Sequence, residues 1–299
     1  FFSLFVMEVL DTTLPLQQRI RALHVIKDSI PKCDAAEQEK HLQLLIDAFP
    51  TTDSVLFKHE IAFTLGQIGD RRALPHLTRW LHDANEDPVT RHECAEAMGA
   101  IGDPSSVPEL EKYRDQGPVE LQETVHLALR RLEWLQKGGQ QEVGEFMSVD
   151  PAPPATAGQS IAELQAMLLN EELDMFERYR AMFALRNLST EESVLALCAG
   201  LRAPKSALFR HEIAYVLGQL EHPASVPALQ ECLTDTKEHA MVRHEAAEAL
   251  GGMARDECLE ALRTFKDDAE PLVGDSCVVG LDMHAYWSQW RAPEEATAH

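Results

Sequence analysis

The chain repeats itself. The stretch Phe57-Lys58-His59-Glu60-Ile61-Ala62-Phe63-Thr64-Leu65-Gly66-Gln67 is matched by Phe209-Arg210-His211-Glu212-Ile213-Ala214-Tyr215-Val216-Leu217-Gly218-Gln219, at an offset of 152 residues. Residues 89–99 (VTRHECAEAMG) are matched at nearly the same offset by Val242-Arg243-His244-Glu245-Ala246-Ala247-Glu248-Ala249-Leu250-Gly251. Within each half the units recur about every 31–33 residues. Each unit reads as two helices. The first carries a His-Glu pair and then an Ala/Leu-rich face. It is expected to stop at a glycine, Gly66, Gly99 or Gly218, because glycine is the usual residue just past a helix end. The second is shorter and opens on a proline, as in Ala73-Leu74-Pro75 and Ser225-Val226-Pro227, since proline fits the first helical turn. No apolar/polar alternation of strand type competes. A two-helix repeat of this length predicts an all-α chain, an α-solenoid of HEAT-type helical hairpins in two pseudo-symmetric halves.

The halves are placed at 11–136 and 161–290, each with four repeats. Helices around Arg19-Ile20-Arg21-Ala22-Leu23 and Arg178-Tyr179-Arg180-Ala181-Met182 precede the His-Glu units, and the segments at Val119 and Val273 follow them. Residues 137–160 break the pattern. Gly138-Gly139 and Pro151-Ala152-Pro153-Pro154 cannot continue a helix, so this segment is expected to be a mobile, partly extended linker that lets the halves face each other.

Charge narrows the partners. A formal net charge of −22 opposes nucleic-acid binding, which needs a basic footprint, and suits a cationic partner. The plainer reading is that acidity keeps the chain in solution. Six cysteines without a C-x-x-C pair read as reduced, mostly buried thiols of a cytoplasmic protein. No apolar run is long enough to cross a membrane. The apolar stretch at residues 1–10 lacks the basic flank and cleavage pattern of a signal peptide.

The chemistry-bearing feature is the dipeptide His-Glu, at His59-Glu60, His92-Glu93, His211-Glu212 and His244-Glu245. In each half the two pairs lie 33 residues apart. Ser54, Pro88, Ser206 and Ala240 place every pair in the first two turns of its helix. Stacked repeats put equivalent side chains on one wall, and two facing walls would gather four imidazoles and four carboxylates. Such donors suit iron, manganese or zinc. Two metals with two histidines and one carboxylate each would use six of the eight side chains, leaving two carboxylates for substrate. The fourth position after each histidine is Phe63, Glu96, Tyr215 or Glu248, which argues against an H-E-x-x-H peptidase. Glu96 and Glu248 read either as supports for the histidines one turn earlier or as solvated carboxylates. A single His-Glu pair on a repeat helix is ordinarily a surface ion pair. Four copies confined to the middle repeats have no packing explanation. The remaining histidines, His24 and His41 among them, read as structural or exposed, and Tyr179, Tyr215, Trp80, Trp134, Trp287 and Trp290 as packing residues.

FKHEIAFTLGQ, RHECAEAMGAIGDP, FRHEIAYVLGQL and RHEAAEALGG strongly resemble the deoxyhypusine hydroxylase family, as does Leu129-Arg130-Arg131-Leu132-Glu133-Trp134-Leu135. The resemblance runs from about residue 14 to residue 287. It implies a monooxygenase with two iron ions per chain that hydroxylates the deoxyhypusine side chain of translation initiation factor 5A. Dioxygen and an external electron donor would be the other partners. By motif position, His59, His92 and Glu93 would hold one iron and His211, His244 and Glu245 the other. Glu60 and Glu212 would be the catalytic carboxylates that hold the substrate amine. The competing readings are a non-catalytic HEAT adaptor, a ligand-binding solenoid of bilin-lyase type, and a dinuclear zinc or manganese hydrolase.

Overall fold

The computed structural model describes residues 6–140, 146, 148–202 and 205–289. Trp290, His299, the first five residues of the apolar N-terminal stretch and part of the expected linker lie outside these. Among the described residues there are fifteen α-helices and no strand. The protein is an all-α, HEAT-type solenoid. The chain divides into two compact units, Phe1–Leu188 and Ser189–His299.

The first unit contains α1 (Leu16–Ser29), α2 (Ala35–Ala48), α3 (Val55–Ile68), α4 (Leu74–His82), α5 (Pro88–Ile101), α6 (Val107–Leu110), α7 (Val119–Gln136), α8 (Ile161–Leu169) and α9 (Met175–Leu188). The second contains α10 (Glu191–Gly200), α11 (Ala207–Leu220), α12 (Val226–Thr234), α13 (Ala240–Gly252), α14 (Leu259–Phe265) and α15 (Pro271–Trp287). The halves expected from the sequence follow the repeat pattern, whereas the compact units follow packing. The hairpin α8–α9, expected from the repeat pattern in the second half, packs with the first unit.

Local sequence sets the helix starts. Ser54 and Ser206 accept the backbone N–H of Phe57 and Phe209 (3.3 and 3.0 Å), satisfying donors that have no partner within the helix. Pro75 and Pro227 lie in the first turns of α4 and α12. Arginines then tie each repeat together. Arg19, Arg91, Arg178 and Arg243 each donate from Nε to the carbonyl ten residues earlier, on Val9, Leu81, Leu168 and Leu233.

The glycine expectation needs correcting. Gly66, Gly99 and Gly218 lie inside their helices, which run on to Ile68, Ile101 and Leu220. The first two end at Gly69 and Gly102, whose φ of 72° and 75° is left-handed. The interior glycines are contact points between stacked helices. A Cβ on Gly66 would stand 2.8 Å from Ala97 Cα, and one on Gly99 2.8 Å from Ala128 Cβ. In the second unit a Cβ on Gly218 would stand 3.0 Å from Ala249 Cβ, and one on Gly251 2.3 Å from Gly280 Cα. Small residues therefore let α3, α5 and α7 stack closely in one unit, and α11, α13 and α15 in the other.

The expectation of a mobile linker also changes. Gln67 bonds both the N–H (2.8 Å) and the carbonyl (3.5 Å) of Val149. Arg131 donates to the carbonyl of Asp150 (2.6 Å), and Arg186 grips its carboxylate with two nitrogens (2.9 and 2.7 Å). Ala152 is fully buried, and Ala155 N–H donates to Arg180 O at 2.8 Å. These bonds fasten residues 148–155 onto the first unit. Of the aromatic residues read as packing, Trp80 stacks on Phe49 with centroids 3.7 Å apart and Tyr179 is fully buried, but Trp287 is exposed. Five of the six thiols are buried and Cys33 is half-buried.

Candidate metal centre

Adjacent residues on a helix point about 100° apart, so both members of a His-Glu pair are buried only where the helix is covered over a wide arc. That holds in all four cases. His59, Glu60, His92, Glu93, His211, Glu212, His244 and Glu245 are all buried. Burying that many polar groups is costly unless they hold one another or an ion.

In the first unit α3 supplies His59 and Glu60, and α5 supplies His92 and Glu93. His59 Nδ1 lies 3.2 Å from Glu60 Oε1, and its Nε2 lies 3.2 Å from Glu93 Oε2. The rings of His59 and His92 are 5.7 Å apart, tilted by 45°. His92, Glu93 and Glu96 offer ligand atoms that all lie within 4.8 Å of one another. Burial opposes charge on the His59 ring, but Glu93 and Glu60 outweigh it and raise the pKa well above the ordinary histidine value. Burial likewise favours a neutral Glu60, and hydrogen bonds from His24 and His59 reverse that, holding the carboxyl below its usual range.

In the second unit α11 supplies His211 and Glu212, and α13 supplies His244 and Glu245. His211 Nε2 stands 3.3 Å from Glu245 Oε2, and the His211 and His244 rings are 5.2 Å apart at 38°. His211, His244 and Glu245 place ligand atoms within 4.8 Å of one another. Glu248 lies 3.7 Å from His244 Nδ1 and accepts from Ser276 Oγ at 3.2 Å. Glu96 and Glu248 are thus half-buried neighbours of the clusters, not solvated carboxylates.

The basic residue before each histidine also has a fixed task. Lys58 bonds Glu86 (2.8 and 2.9 Å) and Arg210 bonds Glu238 (2.6 and 2.9 Å). Arg91 and Arg243 make the carbonyl bonds already described. Each pair is therefore preceded by an anchor that fixes its helix against the neighbouring turn.

Sequence reading missed His24. It has no partner in the internal repeat, so the sequence alone reads it as structural or exposed. On α1 its Nε2 lies 3.2 Å from Glu60 Oε2. The available signal was its position five residues after Arg19, on the helix that stacks against α3. His41 fits the structural reading, buried against Ser29 Oγ at 3.2 Å.

Both clusters suit a divalent metal on the chemistry of their donors. Buried imidazole nitrogens and carboxylate oxygens converge within a few ångströms, the set that binds iron, manganese or zinc.

Known proteins share this plan. A family model of HEAT repeats matches residues 41–130. A model of the PBS lyase HEAT-like repeat matches 177–203, 209–235 and 242–268. Deoxyhypusine hydroxylase of Drosophila pseudoobscura pseudoobscura is 49% identical over 273 residues, covering 91% of this chain and 87% of the relative. The human deoxyhypusine hydroxylase is 48% identical over 279 residues, covering 93% and 89%. The solved structure of human deoxyhypusine hydroxylase in complex with glycerol aligns over 95% of this chain and 96% of that one, with a TM-score of 0.88 and 46% identity.

Proposed function

We propose, for a chain that belongs to the deoxyhypusine hydroxylase family, that it hydroxylates the deoxyhypusine side chain of translation initiation factor 5A with dioxygen at a dinuclear iron centre. The observation that carries this reading is the pair of buried His/Glu clusters, one in each unit, built from the same motif. We assign His59, His92 and Glu93 to one iron and His211, His244 and Glu245 to the other. The halves 11–136 and 161–290 are read as two copies of one ancestral unit, each donating one ligand set. We place the protein in the cytoplasm, a reading supported by the thiol state of its six cysteines.

The chemistry that bound iron supplies is the reductive activation of dioxygen. One oxygen atom enters the substrate C–H bond and the other leaves as water, with two electrons and two protons from an external donor. The protein's share is geometric and electrostatic. Glu60 faces His59 Nδ1, which would fix the ring's orientation and leave Nε2 to hold the metal. Burial of all eight side chains keeps bulk water from the ligands. Glu60 and Glu212 are assigned to the terminal ammonium of the substrate's aminobutyl arm, through charge-assisted hydrogen bonds. The net charge of −22 draws in that cationic arm, an attraction that added salt weakens.

The test is metal analysis together with turnover. Purified protein is expected to hold about two irons per chain, to absorb visible light after exposure to oxygen, and to convert deoxyhypusine to hypusine. Two zinc or manganese ions with no hydroxylation would point to a hydrolase. No metal at all would point to an adaptor.

A further inference from the structure

The eight motif side chains form two matching sets in the sequence, yet Glu60 has a neighbour that the repeat does not reproduce. Its Oε1 faces His59 Nδ1 and its Oε2 faces His24 Nε2, each at 3.2 Å. A carboxylate only accepts, so both facing nitrogens donate. Arg19 and Arg178 mark the same repeat position, because each donates to the carbonyl ten residues before it. Counting five residues on from each, His24 corresponds to Phe183, a buried ring without a hydrogen-bond donor.

A glutamate's terminal torsion is broad, so one hydrogen bond leaves the carboxylate plane free to turn. Two donors on opposite oxygens fix that plane, and each oxygen keeps a lone pair for a further donor. The His24 side chain is 39% exposed, against 8% for Glu60, so it forms the solvent side of the pair.

We infer that His24 is a positioning residue, which locks the Glu60 carboxylate in the orientation that receives the substrate's primary ammonium. This rests on the proposed function and deepens it. Pre-setting the acceptor spares the substrate the cost of ordering it on binding. The effect belongs in substrate affinity and leaves iron loading alone, because His24 is bonded to Glu60 and to none of the assigned iron ligands.

The experiment compares wild type, His24→Ala and His24→Gln as full-length, iron-loaded proteins. Iron content, KM and kcat are measured with deoxyhypusine-bearing translation initiation factor 5A, and Kd for that protein is measured without oxygen. His24→Ala is expected to raise KM and Kd about five- to tenfold, the scale of one partly exposed hydrogen bond to a charged group, with kcat and iron within about twofold of wild type. His24→Gln, which keeps an N–H donor, is expected to recover most of the loss. Unchanged KM and Kd in His24→Ala overturn the inference, and so does loss of iron. A crystal structure of His24→Ala decides independently of turnover, since a Glu60 carboxylate that has not moved also overturns it. If wild type neither binds nor converts the substrate, the proposed function falls, and that crystal structure still tests the positioning of Glu60.

Discussion

The two His-Glu clusters are copies in sequence and differ in their supports. In the first unit Glu60 is held between two imidazoles and the helices α3 and α5 end on left-handed glycines. In the second unit Glu248 accepts from Ser276 Oγ and Glu245 faces His211. There α11 ends on Glu221 with φ 47°, a conformation that costs a residue with a side chain more than it costs glycine. The anchors differ as well, a lysine ammonium on Glu86 in one unit and an arginine fork on Glu238 in the other. The His-Glu pairs are the same in both units while the residues that support them differ. On the proposed function the assigned ligands of a cluster must converge on one metal position, whereas each cap or anchor needs only some adequate partner.

Breaking one ligand in each cluster gives the largest expected effect. His92→Ala and His244→Ala are each predicted to lose about one of two irons and to lower turnover at least about a hundredfold, with helicity retained. Iron analysis and circular dichroism on the same samples check this. Full iron in either variant removes that residue from the ligand set, and a sharply unequal loss breaks the equivalence of the clusters.

Packing comes next. Gly251→Ala forces a Cβ against Gly280 backbone and is predicted to destabilise by about 2 to 3 kcal/mol. Gly218→Ala meets Ala249 Cβ at 3.0 Å, and the gain of about 1 kcal/mol in helix propensity offsets the crowding, so its net change is predicted near zero. Urea denaturation midpoints of the two variants should separate clearly, and equal midpoints would refute the contact argument.

The anchors sharpen the comparison further. Arg210→Met is predicted to cost about 2 kcal/mol and Lys58→Met about 1 kcal/mol, because the arginine fork makes two directed bonds to Glu238 and a third to the Ser206 carbonyl. Hydrogen exchange of α11 and α3 reads each loss locally. The smallest effect lies at the helix ends. Glu221→Gly is predicted to stabilise by about 1 kcal/mol and Gly69→Ala to destabilise by a similar amount, measured as opposite shifts in Tm.

Much of this was legible before any coordinates. The motif quartets stood out because two residue types recurred at matched spacing, and the helices followed from serine and proline at their starts. His24 was not legible, because a residue that breaks the repeat leaves no second copy to compare. The glycines were visible but misread. A glycine near a helix end and one at a helix crossing look alike in sequence, and only Ala97, Ala128 and Ala249 across the gap tell them apart. The composition of residues 137–160 foretold the absence of helix. It did not foretell that Gln67, Arg131 and Arg186 would fasten residues 148–155 to the first unit.

By itself the sequence determined the repeating two-helix unit and the four His-Glu pairs, because both are periodic and local periodicity sets which face of a helix each side chain occupies. Tertiary structure alone decided which neighbours those side chains met: His24 at Glu60, Glu93 at His59, Ser276 at Glu248. Those contacts join residues 28 to 36 positions apart and depend on how closely one helix lies on the next, a distance set by the small residues at the crossings and by no local pattern.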